Sequence, residues 1–175
     1  MHPRTAELLA YLDQADAELR AAYDAVPADR RAERPSPDRW SPAEVVHHLA
    51  IVERRVTQRI AALVEQARAL PPETDASPVL PTLRARGLVD RTRRLVAGEA
   101  SQPRDTEAAR AWADLDDARR ALTDLVSGAD GLALGQVHAP HPALGDINGY
   151  EWVAFVGAHA ARHAAQIRED AAGAS

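Results

Sequence analysis

At 175 residues with a net charge of −5, the chain is long enough for one domain with a real core, and it lacks the basic excess that a general nucleic-acid binder carries. It contains neither cysteine nor lysine, so all 21 of its Lys/Arg-type residues are arginine; this excludes disulfides, thiolate nucleophiles, cysteine metal sites, lysine Schiff bases and a P-loop lysine. No apolar run approaches the roughly 20 residues of a membrane span, and residues 1–10 lack a signal peptide's apolar core, so the expectation is a cytoplasmic protein with no membrane and no nucleic-acid partner.

Residues 4–26 repeat Leu8, Leu12, Ala15, Leu19, Ala22 and Val26 at three- and four-residue spacing, which predicts a first helix with a core stripe. Pro27 ends it, and Ala28–Arg39, with Pro35 and Pro37, reads as loop. The clearest helix start follows at Trp40-Ser41-Pro42-Ala43-Glu44. Ser41 is suited to cap, Pro42 to the first helical position, and Glu44 to reach back to the cap amide. Trp40 is placed to staple against the first turns. The second helix is predicted to run to about Ala69, with Val45, His48, Leu49, Val52, Val56, Ile60 and Leu63 on its core stripe. His47 is rotated about 100° from His48, to the edge of that stripe.

Leu70–Pro81 holds four of the 12 prolines and reads as a long connection. Helical character returns around Val89–Val96, within a stretch bearing Arg84, Arg86, Arg91, Arg93 and Arg94. A third long helix is predicted from Asp105 or Thr106 to about Val126, with Ala108, Trp112, Leu115, Leu122 and Leu125 on its stripe and Arg119 as the one polar departure. Ser127–Ile147 reads as loop, and no strand is expected anywhere. Asn148 is suited to cap the last helix, with Glu151 three residues on; that helix carries Trp152, Phe155, Val156, His159, His163 and Ile167 and is expected to fray at 170–175. The sum is an all-α four-helix bundle forming a single domain over 1–175. The short first link predicts that helices one and two are antiparallel neighbours; the long link from the second to the third predicts a crossover.

Chemistry concentrates in histidine. His159 and His163 lie four residues apart, so both rings leave one helix face about 6 Å apart along the axis, inside an apolar stripe where an unpartnered ring is costly. His48 is on the core stripe of the second helix. Bundle metal sites are built from inward side chains on facing helices, and three neutral imidazoles suit zinc, nickel, iron or copper, with a position left open for water or substrate. A lone core histidine is ordinarily hydrogen-bonded to a neighbour; three together make the stronger pattern. Ala160 follows His159, so the zinc-peptidase motif is absent. Gln166 reads as packing or as a contact behind the site, Glu53 as solvated, salt-bridged or behind a ligand, and Arg162 as paired with a carboxylate. His138 and His141 read as surface residues or as the mouth of a pocket, and Asp146 as a turn residue. The arginines at 84–94 read as a solvated face or a receiver for an anionic cosubstrate.

The stretch Trp40-Ser41-Pro42-Ala43-Glu44-Val45-Val46-His47-His48-Leu49 with Glu53 resembles the first signature of the DinB-like family, the damage-inducible helical bundles and not the polymerase of the same name. His141-Pro142-Ala143-Leu144-Gly145, then Tyr150-Glu151-Trp152, Phe155, His159, Arg162-His163 and Gln166-Ile167, resembles the second. The resemblance implies a bundle with a crossover and a metal, zinc or nickel foremost, held by three histidines that fall on His48, His159 and His163. Members include transferases and isomerases that use a low-molecular-weight thiol such as mycothiol or bacillithiol, and dimers occur, so a homodimer is among the expectations. The expected function is a metal-dependent enzyme activating a small thiol, or water in a hydrolase, for attack on a small electrophilic substrate. The alternative is a non-catalytic, stress-related metal-binding or interaction protein.

Overall fold

The structure, a computed structural model, describes residues 1–85, 98–104 and 106–173. The helical character predicted at 89–96, the side chains of the 84–94 arginines and Asp105 as a helix start lie outside the described residues.

Four long helices dominate: α1 (Pro3–Asp24), α2 (Pro42–Ala67), α4 (Ala108–Gly128) and α5 (Gly149–Gly173), with a short α3 (Leu80–Ala85). The starts of α1, α2 and α5 are set by side chains that satisfy orphan amides. Ser41 Oγ accepts from the Glu44 amide at 3.2 Å while the Glu44 carboxylate accepts from the Ser41 amide at 2.9 Å. Asn148 and Glu151 make the same reciprocal pair, both at 2.9 Å. α1 opens one residue earlier than Arg4, with Pro3 in its first turn and the His2 ring accepting from the Arg4 amide. α5 continues to Gly173, through most of the tail expected to fray.

Cross-helix pairs fix the topology. Along α1 and α5, Arg4 lies over the Tyr150 ring, Tyr11 faces Gly157, and Arg168 donates to the Glu18 carbonyl; both numbers rise together, so these helices are parallel. From the start of α4 along α2, Thr106 meets His47 and Arg119 pairs with Glu53, both numbers again rising, so α2 and α4 are parallel. Arg39 with Asp170 and His48 with His159 make α2 and α5 antiparallel. Tyr23 with Trp112 and Leu12 with Arg119 make α1 and α4 antiparallel. The order is up-down-down-up, with the predicted crossover between α2 and α4. The expectation that the first two helices are neighbours is corrected: α1 packs chiefly on α5 and α2 chiefly on α4, leaving α1 and α2 diagonal. A link of some 17 residues constrains only the two helix ends, and it is long enough to span the diagonal. Close approach of α1 to α5 depends on Gly157, where a Cβ would stand 2.6 Å from a Tyr11 ring carbon.

The interior falls into two apolar clusters. One holds Leu8, Leu12, Ile60, Leu63, Leu122, Ile147 and Val153; the other holds Leu19, Tyr23, Val45, Val46, Leu49, Leu115 and Ile167. The α4 stripe is shifted from the one predicted: Ala111, Leu115, Ala118, Leu122 and Val126 are buried, while Trp112 sits half-buried against Tyr23. Arg119 crosses between helices, its guanidinium bidentate to Glu53 at 2.6 and 3.0 Å and donating to the Leu12 carbonyl at 2.9 Å. Glu53 is 3% exposed. Burial pushes its carboxyl pKa up, against the opposing pull of Arg119.

The expectation of no strand is also corrected. β1 (His138–His141) pairs antiparallel with β2 (Gly145–Asn148), the turn between them closing at Gly145 with φ +75°. This hairpin leads directly into α5, and Trp152 donates its indole N–H to the Ala139 carbonyl at 3.3 Å.

Candidate metal centre

His48 enters from the second turn of α2, held inward by the stripe that buries Val45 and Leu49. His159 and His163 enter from one face of α5, their ring centroids 4.7 Å apart. His159 Nε2 lies 3.4 Å from His48 Nε2 and 3.1 Å from His163 Nε2. One ligand atom from each histidine falls within 4.8 Å of the other two, the only such group among the described residues. Ligands about 2.0–2.1 Å from a tetrahedral ion stand about 3.3 Å apart, so the two short separations already match.

The tautomers decide what this convergence can do. His48 Nδ1 lies 2.7 Å from the Ser101 carbonyl, an acceptor only, so Nδ1 carries the proton and Nε2 presents a lone pair. His163 Nδ1 lies 2.9 Å from the Gln166 Oε1 and is fixed the same way. Two lone pairs therefore meet the third nitrogen at contact distance, and a proton on His159 Nε2 can satisfy one of them but not both. A cation satisfies all three. This is also the arrangement in which a ligand's second nitrogen is oriented by a carbonyl acceptor. Burial, reinforced by the charges of His163, His48, Arg162 and His141, holds the His159 pKa well below the ordinary imidazole range. Burial likewise lowers His48, against the bond it donates to the Ser101 carbonyl. Both rings are thus kept neutral and able to coordinate.

The walls are aromatic. Trp40 lies 4.7 Å from the His48 ring, and Phe155 stacks on His159 at 5.3 Å with the planes 14° apart. His48 is buried, whereas His159 and His163 are half-buried, so the cluster is open on the α5 side. The donor set, its tautomers and its spacing fit a divalent ion.

A family model for the DinB superfamily matches residues 11–167. The chain belongs to the DinB superfamily. No curated protein and no solved structure matches it. The structure brings together the three histidines that helical periodicity places on inward faces.

The remaining candidates of this DinB-superfamily chain are distributed as follows. Gln166 contacts the site through His163, as one of its two readings had it. Glu53 is committed to Arg119, in its salt-bridged reading. His47 turns outward, its Nδ1 2.8 Å from Thr106 Oγ1, and borders a groove of about 600 Å³ with Ile51, Glu99, Gln102 and Arg104. His138 is exposed, and Arg162 is half-buried. His141 is half-buried, its ring 4.5 Å from Phe155 and 5.0 Å from Trp152. Sequence reasoning did not find Ser101. It lies 53 residues from His48, and no local pattern marks a carbonyl acceptor in a connection. Trp40, expected to staple the helix start, packs against the cluster that holds Val45 and Leu49 and also lies against the His48 ring. Among the described residues no helix is long and apolar enough to cross a membrane.

Proposed function

We propose that this DinB-superfamily protein is a metalloenzyme in which His48, His159 and His163 hold a divalent ion, zinc or nickel. Its substrate is a small electrophile, and its cosubstrate is a low-molecular-weight thiol of the bacillithiol or mycothiol kind. The observation that carries the reading is the meeting of three imidazole nitrogens, two of them fixed as lone-pair donors by Ser101 and Gln166. A divalent ion there would act as a Lewis acid, lowering the pKa of a coordinated thiol or water so that it attacks at neutral pH.

The chain's own residues set the conditions for that chemistry. Ser101 and Gln166 orient two rings. Trp40 and Phe155 exclude water from the far side and lower the local dielectric. The half-buried faces of His159 and His163 leave access for a small molecule. The lack of cysteine fits a reaction whose sulfur arrives with a cosubstrate: the thiol gives its proton to solvent, and its sulfur bonds to the electrophilic carbon as the carbon–leaving-group bond breaks, the leaving group departing with the bonding pair as chloride does from chlorodinitrobenzene.

The test loads metal-free protein with zinc or nickel, measures bound metal, and screens bacillithiol, mycothiol, glutathione and cysteine for conjugation of chlorodinitrobenzene and monochlorobimane. Metal-dependent turnover with one thiol, lost in His159→Ala, supports the reading. Turnover of ester substrates with water and with no thiol moves the assignment to a hydrolase. Metal-dependent melting with no turnover moves it to a non-catalytic metal-binding protein.

A further inference from the structure

His141 is held more rigidly than a loop histidine requires. Its Nδ1 accepts from two backbone amides of the hairpin turn, Ala143 at 3.1 Å and Leu144 at 3.2 Å. A nitrogen that accepts bears no proton, so the neutral ring carries its proton on Nε2. The ring is flanked by Trp152 and Phe155, and Trp152 is itself tied to the hairpin through the Ala139 carbonyl. Among the described residues no partner meets Nε2. Phe155, which packs against His141 on one side, stacks on His159 on the other. His141 is thus one aromatic ring away from the proposed metal, near enough that its charge contributes to the depression of His159.

An amide-pinned acceptor, a fixed tautomer and a donor without a protein partner beside an open site are what recognition of a ligand oxygen needs. A ring that only closed the turn would use Nδ1 and have no reason to stand against Phe155. We infer that His141 is a substrate-orienting residue: its Nε2–H donates to a carboxylate or carbonyl oxygen at the far end of a small molecule whose near end is held by the three-histidine site. The ring spacings of 4.5 and 5.3 Å set the span at a few bonds, so the substrate class is a short thiol or oxygen ligand bearing an acid or carbonyl two or three carbons away. The inference rests on the metal reading above, and its test separates the two.

Two substitutions divide the functions of the ring. His141→Asn places an acceptor where Nδ1 was and keeps the turn, but removes the Nε2 donor. His141→Gln places an amide donor near the position of Nε2 and gives up the turn acceptor. Cobalt-loaded protein is titrated with ethanethiol and with 3-mercaptopropionate, followed by the cobalt visible spectrum, with melting temperature and cobalt content as folding controls. The wild-type protein is expected to bind 3-mercaptopropionate about tenfold more tightly than ethanethiol, the increment of one charged hydrogen bond. The ratio should fall to about one in His141→Asn and persist largely in His141→Gln, with ethanethiol affinity alike in all three. Chelation of cobalt by both ends of the ligand would raise the ratio equally in every variant, so the difference between variants is the readout. An undiminished ratio in His141→Asn, or a ratio lost equally in His141→Gln, overturns the assignment. If neither thiol perturbs the cobalt spectrum the thiol reading fails, and acetate against succinate repeats the same comparison with oxygen on the metal.

Discussion

Replacing His159 with alanine tests the centre most directly, because its Nε2 is the nitrogen that the other two approach, at 3.4 and 3.1 Å. A ligand that binds only the folded state stabilises it by about 2.7 kcal/mol at one hundred times its Kd. For a chain of this length each kcal/mol moves the melting temperature by about 2–4 °C. Zinc or nickel at that excess should therefore raise the wild-type Tm by about 5–10 °C over the protein in chelator. Partners that merely orient a ligand are worth about 10–100-fold in metal affinity, so loss of a ligand itself should weaken binding by at least about 100-fold. At the same metal concentration the variant then sits near its own Kd, where stabilisation is about 0.4 kcal/mol and the shift about 1 °C. Each variant is compared with its own chelated state, so any cavity left by the missing ring cancels. Differential scanning fluorimetry with a metal titration gives both numbers. Equal shifts in wild type and variant, or no wild-type shift with zinc, nickel or cobalt, would refute the assignment of these histidines as ligands.

Without metal, acidification should destabilise the protein between pH 7.5 and 5.5. His48, His141 and His159 are all lowered by burial from 6.5, so the unfolded chain binds more protons; stability is full above about pH 6.5 and falls below it, by up to about 1.4 kcal/mol per pH unit for each ring. Urea midpoints in chelator at the two pH values measure it, and stability that rises on acidification contradicts the burial argument. Arg119→Met should cost about 3–5 kcal/mol because it strands the Glu53 carboxylate inside the bundle, whereas adding Glu53→Met should recover most of the loss; a double-mutant cycle in urea reads both. Arg55 donates from the surface to the Ala100 carbonyl and Ser101 Oγ at 3.2 and 3.3 Å; Arg55→Ala should weaken metal a few-fold in chelator competition, one step further out than the 10–100-fold of a direct partner, while leaving the metal-free Tm nearly unchanged.

What the sequence disclosed was local or periodic. The Ser41–Glu44 and Asn148–Glu151 caps depend on residues three apart, and the inward rings of His48, His159 and His163 follow from helical spacing alone. What it withheld depends on which helices meet. Glu53 and Arg119 each stood out, one beside the His48 stripe and one on an apolar stripe, but their pairing requires α2 and α4 to be parallel neighbours, which no periodicity states. The hairpin was missed because each strand is only four residues long, one contains Pro140, and period-two patterning has no room to emerge over that length. Its partner signal, Gly145 in a left-handed turn, was visible only as one glycine in a glycine-rich stretch. The α4 stripe was misplaced by about one residue because alanines at 111 and 118 carry little weight beside Trp112 in a hydrophobic pattern, yet small residues are what lets α2 approach.

The crossover is a condition of the site. With simple up-down alternation, α2 and α5 would run parallel. His48 lies six residues into α2, while His159 and His163 lie ten and fourteen residues into α5. At 1.5 Å per residue, and with helix starts level, the α5 histidines would then stand about 6 and 12 Å from His48 along the bundle axis, too far for one ion to take all three. Running α2 down and α5 up instead brings Arg39 to Asp170 and His48 to His159. That arrangement obliges the chain to travel back from the end of α2 before α4 can begin beside α2's start. The returning segment Gly98–Arg104 therefore arrives alongside His47 and His48, and from it Ser101 supplies the carbonyl that fixes the His48 tautomer. The long connection thus makes the three histidines converge and orients one of them, so on the proposed metal reading changes within it should register in metal affinity even though none of its described residues belongs to the three-histidine cluster.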